Sequence, residues 1–241
     1  MILLDQYPYF YSILFWISMK PFYDYSKITQ WTTTIITFLI ASLIAYLWMD
    51  LLLESMWWSL AIFLLAPFMQ FFMTPLFTII GVYKYLSPML LVYNPTEKKH
   101  DLHNGTSFDY LLNMRSAKAG NAARYQLLKY YMQGLLNIID KVEKKDLPGT
   151  VMVRGSSYFF SDRTAKRLGF KLKATGLDEK FNILLNYIDL FWMYSFAHGK
   201  WRLPNLKAIK TAEISGKDLL KQKDKIQHLL HYFNKKQNEP A

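Results

Sequence analysis

The sequence contains no cysteine, which excludes disulfides, thiolate metal sites and cysteine nucleophiles but does not fix the compartment. It also lacks a Gly-x-Ser-x-Gly turn, a Walker phosphate-binding loop and a His-Glu-x-x-His motif. Charge is scarce in the first 83 residues, which hold only two lysines and four acidic residues. The first twelve residues carry an acid where a secretory signal carries lysines, so we expect the apolar segments to remain in the mature protein.

Two long runs without charge occupy this first part, residues 28–49 and residues 55–83. Because roughly 20 apolar helical residues cross a bilayer core about 30 Å thick, each run is long enough to span it. Pro67 and Pro75 interrupt the second run and predict a tilted or broken helix. The sequence therefore predicts a membrane protein with a two-span transmembrane helical hairpin over residues 28–84.

Charge asymmetry orients this predicted hairpin. The link at residues 50–54 contains acids but no lysine or arginine, whereas lysines flank both outer ends of the hairpin. Because positive charge stays on the cytoplasmic side, we expect both termini in the cytoplasm. Residues 1–27 should form an interfacial aromatic segment, since their apolar stretch is too short to cross. Gln70, between the prolines, is expected to bond a freed backbone carbonyl or, alternatively, a substrate.

The rest of the chain has the composition of a basic globular domain. From residue 84 onward it holds 27 of the 29 basic and 14 of the 18 acidic residues, a net charge of +13. Alternating turns, strands and helices predict a cytoplasmic α+β domain over residues 85–234, followed by a disordered tail at 235–241. We attribute the positive charge to attraction to a bilayer with anionic lipids. No nucleic acid is expected, because no recognised binding motif accompanies the charge.

Turn and periodicity signals place the elements of this domain. Strands are predicted at residues 88–93, 98–103, 150–153, 158–160, 170–174 and 207–214. Helices are predicted at residues 121–144, 162–168, 178–197 and 215–233. Residues 108–114 fit either a strand or a short helix capped by Thr106, with Asp109 three residues on. The helix at 178–197 is apolar on nearly every face apart from Asn186 and Asp189, so we expect it to contact the bilayer or the hairpin.

Residues 89–174 resemble the core of the GNAT acyltransferase superfamily in the order and spacing of their elements. The β-hairpin is MLLVY with KKHDLH, the third strand is FDYLLNM, and a turn at 118–122 opens the long helix that precedes the strand TVMVRG. The short helix DRTAKRLGF ends at Gly169 and Phe170, as such helices do in the family.

The resemblance implies a GNAT-like fold, acyl transfer and acyl-CoA as the bound cofactor. It implies that the turn binds the pyrophosphate of coenzyme A through backbone N–H groups at the helix start, with a glycine that allows close approach. The turn residues are Ala119, Gly120, Asn121 and Ala122. Ala117 stands where the family usually has Arg or Gln, and Ala165 where it often has a tyrosine general acid. A chain with these departures can keep the fold and lose the chemistry.

The densest cluster of acid–base groups is the segment KKHDLHNGTSFD, in which the candidate catalytic residues are His100, His103 and Asp109. If residues 100–103 form a strand, the two histidines face opposite sides and do not converge on one ligand. The alternative is a polar turn with solvated histidines.

Two further groups of residues have the chemistry of a binding site. Arg154 and Ser156, at a strand end, are candidates for holding a phosphate or an acyl headgroup, although such a bend more often satisfies its own backbone. His228 and His231 are three apart on a predicted helix, but no carboxylate partner is apparent nearby in the sequence, so no metal site is expected.

Three functions are compatible with these features. The first is a membrane-tethered enzyme, with acyl-CoA-dependent acyl transfer at the cytoplasmic lipid surface as the named candidate. The second is a non-catalytic assembly or scaffold subunit, whose hairpin packs against membrane-protein partners. The third is a transport component that uses the kinked second span.

Overall fold

Two long apolar helices open the described part of the chain. The computed structural model describes residues 20–156, 162–206 and 209–238. Helix α1 is Lys27–Glu54, and the 3₁₀ turn Met56–Ala61 leads into helix α2, Ile62–Ile79. The two helices pack against each other, and we call them the helical hairpin. By length and composition both α1 and the stretch Met56–Ile79 could cross a membrane.

The helix bounds differ from the predicted spans. Residues 50–54, expected to be a link, form the last turn and a half of α1, because the segment contains no proline or glycine. Helix α2 runs through Pro67 and Pro75 without a break, so of the two predicted alternatives, a tilted or a broken helix, the broken one is wrong. It ends at Ile79, short of residue 83, and Gly81 follows in a left-handed conformation (φ +79°).

The described residues of the second part form a six-stranded sheet with helices around it. The strands are β1 Tyr83–Ser87, β2 Leu90–Tyr93, β3 Lys99–Asn104, β4 Met152–Ser156, β5 Lys171–Ala174 and β6 Lys210–Ser215. Their order in the sheet is β1-β2-β3-β4-β6-β5. Among these neighbours only β3 and β4 are parallel, and the other four pairs are antiparallel. The predicted α+β class is therefore confirmed, with a mixed sheet.

The remaining helices are α3 Ser107–Asn113, α4 Asn121–Glu143, α5 Asp162–Arg167, α6 Leu177–Leu185, α7 Tyr187–His198, α8 Gly216–Leu220 and α9 Lys223–Asn238. Helix α4 covers β1 and β2, and α8 and α9 pack against α4. The close approach of α4 to β2 depends on Gly134, where a Cβ would lie 2.5 Å from a Leu90 methyl carbon. The core between sheet and helix includes Leu90, Val92, Leu127, Leu135, Ile138 and Val153.

The predicted β-hairpin is confirmed as β2 and β3, whereas the third strand FDYLLNM of the GNAT resemblance is wrong. Those residues form α3, the helical alternative, with a complete capping box between Thr106 and Asp109. The strand β1, which precedes the β-hairpin, was not predicted. Helix α4 begins at Asn121 as expected, but its N-cap is Gly120 rather than Asn121.

Two predicted helices are each divided in the structure. The helix expected at 178–197 breaks at Asn186 into α6 and α7, and both contact α2 of the helical hairpin. Contact with the hairpin is thus confirmed. The helix expected at 215–233 is α8 followed by α9, and α9 continues to Asn238 into the predicted tail. Three predicted segments lie outside the described residues. They are most of the interfacial segment, the extended piece at 158–160 and residues 239–241 of the tail.

Candidate functional site

Strands β3 and β4 part at their carboxyl ends. The last residues that face each other across this parallel ladder are Leu102 and Gly155. Beyond them, β3 stays paired with β2 as far as Asn104, and β4 stays paired with β6 as far as Ser156. Among the described strands, β3 therefore remains paired with β2, and β4 remains paired with β6, after the pairing between β3 and β4 has ended. The described residues leave a gap between these two strand ends, at the edge where open sheets with parallel strands bind ligands.

A cavity of about 640 Å³ lies at this gap. Residues of the sheet, of helices α4 to α7 and of α2 line it, and Gln70 is the contribution of α2. Apolar side chains form much of the wall: Leu91, Leu135, Leu168, Ile183, Leu190 and Met193. Its volume lies within the range of about 300–1,000 Å³ that is usual for small-molecule sites.

An ion pair bridges β3 and β4 at the cavity wall, next to the last residues at which the two strands are paired. Arg154 Nε donates to Asp101 Oδ1 at 2.9 Å, and Lys99 Nζ lies 2.6 Å from Asp101 Oδ2. Burial opposes the ionisation of Asp101, but the hydrogen bonds from Lys99 and Arg154 outweigh it and hold the pKa of this carboxyl below its usual value. Asp101 is therefore an ionised carboxylate with both oxygens engaged. Arg154 and Ser156, expected at a ligand site, both line the cavity.

The two candidate histidines of β3 lie on opposite faces of the sheet. His103 lines the cavity, and its ring lies edge-on to Tyr93 with 6.2 Å between ring centroids. His100 is buried on the other face, and burial, together with Lys141 and Lys84, lowers its pKa. The period of a strand explains this separation. Of the two, only His103 is placed for chemistry in the cavity.

Asp109, the third candidate catalytic residue, is engaged in a buried network that fixes α3. Its Oδ2 accepts from the Thr106 backbone N–H at 2.8 Å, and the Tyr85 hydroxyl donates to Oδ1 at 2.9 Å. The Thr74 hydroxyl of α2 donates to Thr106 Oγ1 at 3.0 Å. Burial raises the pKa of Asp109 to about 6, against the lowering effect of its hydrogen bonds. The network joins the helical hairpin to the domain.

Asp189 of α7 is a cavity residue that was not among the predicted site residues. It is 7% exposed, and its Oδ1 accepts from Ser107 Oγ at 2.6 Å and from Trp192 Nε1 at 3.1 Å. The other oxygen, Oδ2, is buried and has no hydrogen-bond partner among the described residues. Burial raises the pKa of Asp189, and the hydrogen bonds from Ser107 and Trp192 lower it by less. The signal in the sequence was an acid on an otherwise apolar helix.

The predicted phosphate-binding turn lies away from the cavity. The Gly120 N–H donates to the Phe196 carbonyl at 2.8 Å, and Gly120, at φ +97°, packs against Gly199 at the end of α7. The residues of α4 that line the cavity are Tyr131 and Leu135. Tyr131 is roughly 16 Å along the helix from Gly120. The structure thus brings His103, Arg154 and Ser156 together and leaves residues 119–122 apart from them.

The part of the chain that the structure describes contains no cluster of side chains that could bind a metal ion. No group of three or more His, Asp or Glu side chains there is close enough to hold an ion. His228 lines a small separate pocket with Arg167 and Asp224.

The chain matches no family model, no curated protein and no solved structure.

The raised pKa of Asp109 predicts how stability depends on pH. Because protonated Asp109 is favoured in the folded state, its contribution is full below about pH 4 and falls by up to ~3 kcal/mol as the pH rises through about 6. Asp109→Asn cannot ionise and should remove this part of the slope, as measured by urea unfolding of the detergent-solubilised protein between pH 4 and 7. Asp140→Asn, an exposed control on α4, should keep the full slope. An unchanged slope in Asp109→Asn would contradict the assignment.

Proposed function

We propose that this chain is a membrane-anchored acyltransferase whose α+β domain acts at the cytoplasmic surface of a lipid bilayer. The cavity supports this proposal by its position. It lies where β3 and β4 part and borders α2, which belongs to the membrane-length stretch Met56–Ile79. A site in that position can receive a soluble acyl donor from the cytoplasm and an acyl acceptor from the lipid surface.

The surface of α1 supports anchoring in a bilayer. The helix has 28 residues and is therefore about 42 Å long, more than the roughly 30 Å of a bilayer core. Large apolar side chains on it are more than half exposed, among them Ile35, Leu39 and Leu43. Contiguous apolar surface of this extent is rare on a soluble monomer. Lipid is the solvent that would cover it.

The absence of cysteine allows a direct test of orientation. We expect a single cysteine introduced as Glu54→Cys, at the exposed end of α1, to react with a membrane-impermeant maleimide in intact cells. Glu97→Cys, exposed in the β2–β3 turn, should react only after the cells are permeabilised, because the lysine-rich side stays in the cytoplasm. The unmodified chain gives the blank. The reverse pattern, or release of the chain by alkaline carbonate, would refute the proposed topology.

The acyl donor is proposed to lie along the parted strands. Backbone groups of a strand that lacks a neighbour can pair with the amides of an extended ligand, and the pantetheine arm of acyl-CoA is an extended chain that carries amides. The cavity is lined by the strand ends at Leu102 and Gly155, where the β3–β4 pairing stops, and its apolar wall suits an acyl chain. The turn at 118–122 is assigned no role in holding the phosphates, because the N–H of Gly120 is bonded to Phe196.

His103 is proposed as the proton carrier of the reaction. In the transfer, a bond forms between the acceptor's nitrogen or oxygen and the thioester carbonyl carbon, and the carbon–sulfur bond breaks. The proton that leaves the acceptor passes through the imidazole to the departing thiolate. An imidazole is suited to this role because its ordinary pKa lies near neutral pH.

Binding of the donor tests the proposal. We expect octanoyl-coenzyme A to bind the full chain in detergent, measured by isothermal titration, and Ser156→Trp to weaken binding about tenfold or more by filling the cavity mouth. Met152→Trp is the matched control, since Met152 is an exposed residue of the same strand that does not line the cavity. Absence of binding to the unmodified chain, or equal affinity in both variants, would refute the acyl-donor site.

One observation favours the second candidate, a non-catalytic assembly or scaffold subunit. Ala165, at the position where GNAT enzymes often have a tyrosine general acid, lines the cavity and is buried. Under this alternative the cavity retains a ligand without turnover. Stoichiometric copurification of other membrane proteins from native membrane is its distinguishing result.

A further inference from the structure

Asp189 lines the cavity, and one of its two carboxyl oxygens has no hydrogen-bond partner among the described residues. Its Oδ1 is held by Ser107 and Trp192, which fix the orientation of the side chain. Its Oδ2 has no partner among the described residues, although the residue is only 7% exposed. A buried oxygen of this kind is costly unless a donor reaches it.

The neighbours of Asp189 in the cavity are polar but uncharged. Asn182 and Asn186 line the cavity from the break between α6 and α7, and Gln70 lines it from α2. Arg154 is the single Lys or Arg side chain among the described residues that line the cavity, and it is paired with Asp101. The site around Asp189 therefore has room for one positive charge and supplies amides to surround it.

The apolar surroundings indicate what carries that charge. Ile183, Leu190 and Met193 line the cavity next to Asp189. Helix α6 packs against α2, and its Phe181 and Leu184 are exposed apolar side chains. A ligand that enters here passes apolar surface before its polar end reaches the carboxyl group.

We propose that Asp189 is the acceptor subsite of the cavity and binds the protonated amine of an amphiphile. This inference rests on the proposed acyl transfer. The bound ammonium first passes one proton to the Asp189 carboxylate, which releases it to water, and the neutral amine then has the lone pair that receives the acyl chain. A charge-assisted hydrogen bond to Oδ2 satisfies the buried oxygen. The Asn186 side chain donates through its nitrogen to Asn182, which leaves the Asn186 side-chain oxygen to accept a further N–H of the ammonium. A metal ion does not fit, since the described residues offer no second and third carboxylate or histidine there.

The test measures amine binding without any acyl donor, so that its failure is separate from failure of the acyl-CoA site. The full chain is placed in phosphatidylcholine nanodiscs and titrated with octylamine, octanol and ethanolamine. We expect octylamine to bind, and Asp189→Asn to weaken its binding about 10- to 100-fold, the value of a hydrogen bond to a charged group. Octanol should bind weakly and equally to both proteins.

The controls separate binding from folding. The amide introduced by Asp189→Asn keeps a carbonyl oxygen for Ser107 and Trp192, so the thermal midpoint of the variant should stay close to that of the unmodified chain. Asp140→Asn, the same change on the exposed face of α4, should leave the octylamine affinity unchanged. Equal octylamine affinity in Asp189→Asn, or octanol affinity equal to that of octylamine, would overturn the proposal. If ethanolamine bound as tightly as octylamine, the proposal that the ligand is an amphiphile would be overturned, and a soluble amine would be indicated.

Discussion

A parallel pair of strands cannot be joined by a tight turn, because the chain must return from the end of one strand to the start of the next. Here β3 ends at Asn104 and β4 begins at Met152, and the connection between them holds α3 and α4. Helix α4 covers the sheet and builds the core. Helix α3 is capped by Thr106, which is bonded to Thr74 of the helical hairpin. One crossover thus builds the core and places the parted strand ends beside α2.

Three aspartates near the parted strand ends differ in how many of their carboxyl oxygens are engaged by neighbouring residues. Asp101 is ionised and has both oxygens engaged by Lys99 and Arg154. Asp109 also accepts hydrogen bonds through both oxygens, because it caps α3 and accepts from the Tyr85 hydroxyl. Asp189 has one engaged oxygen and one without a partner in the described structure. The first two are therefore structural, and the third is the carboxyl group with capacity for a ligand.

Features that depend on nearby residues were predictable from the sequence, and features that depend on distant ones were not. The two apolar helices follow from composition, and the β2–β3 hairpin follows from its turn at 94–95. The segment FDYLLNM suits strand and helix equally, and the helix prevails because Asp109 is held by Thr106 and by Tyr85, 24 positions away. Asp189 finds its partner Ser107 at a separation of 82 residues, and β6 inserts between β4 and β5. Neither the Asp189–Ser107 hydrogen bond nor the position of β6 in the sheet can be predicted from a pattern of neighbouring residues in the sequence.

We propose that the cavity at the parted ends of β3 and β4 transfers an acyl group to an amine at a membrane surface. The most direct measurement of this reaction is the release of free thiol from octanoyl-coenzyme A by the purified chain in phosphatidylcholine nanodiscs containing octylamine. We expect thiol release that requires both substrates and falls about 100-fold in His103→Gln. Release no faster than in protein-free nanodiscs, or undiminished in His103→Gln, would contradict it.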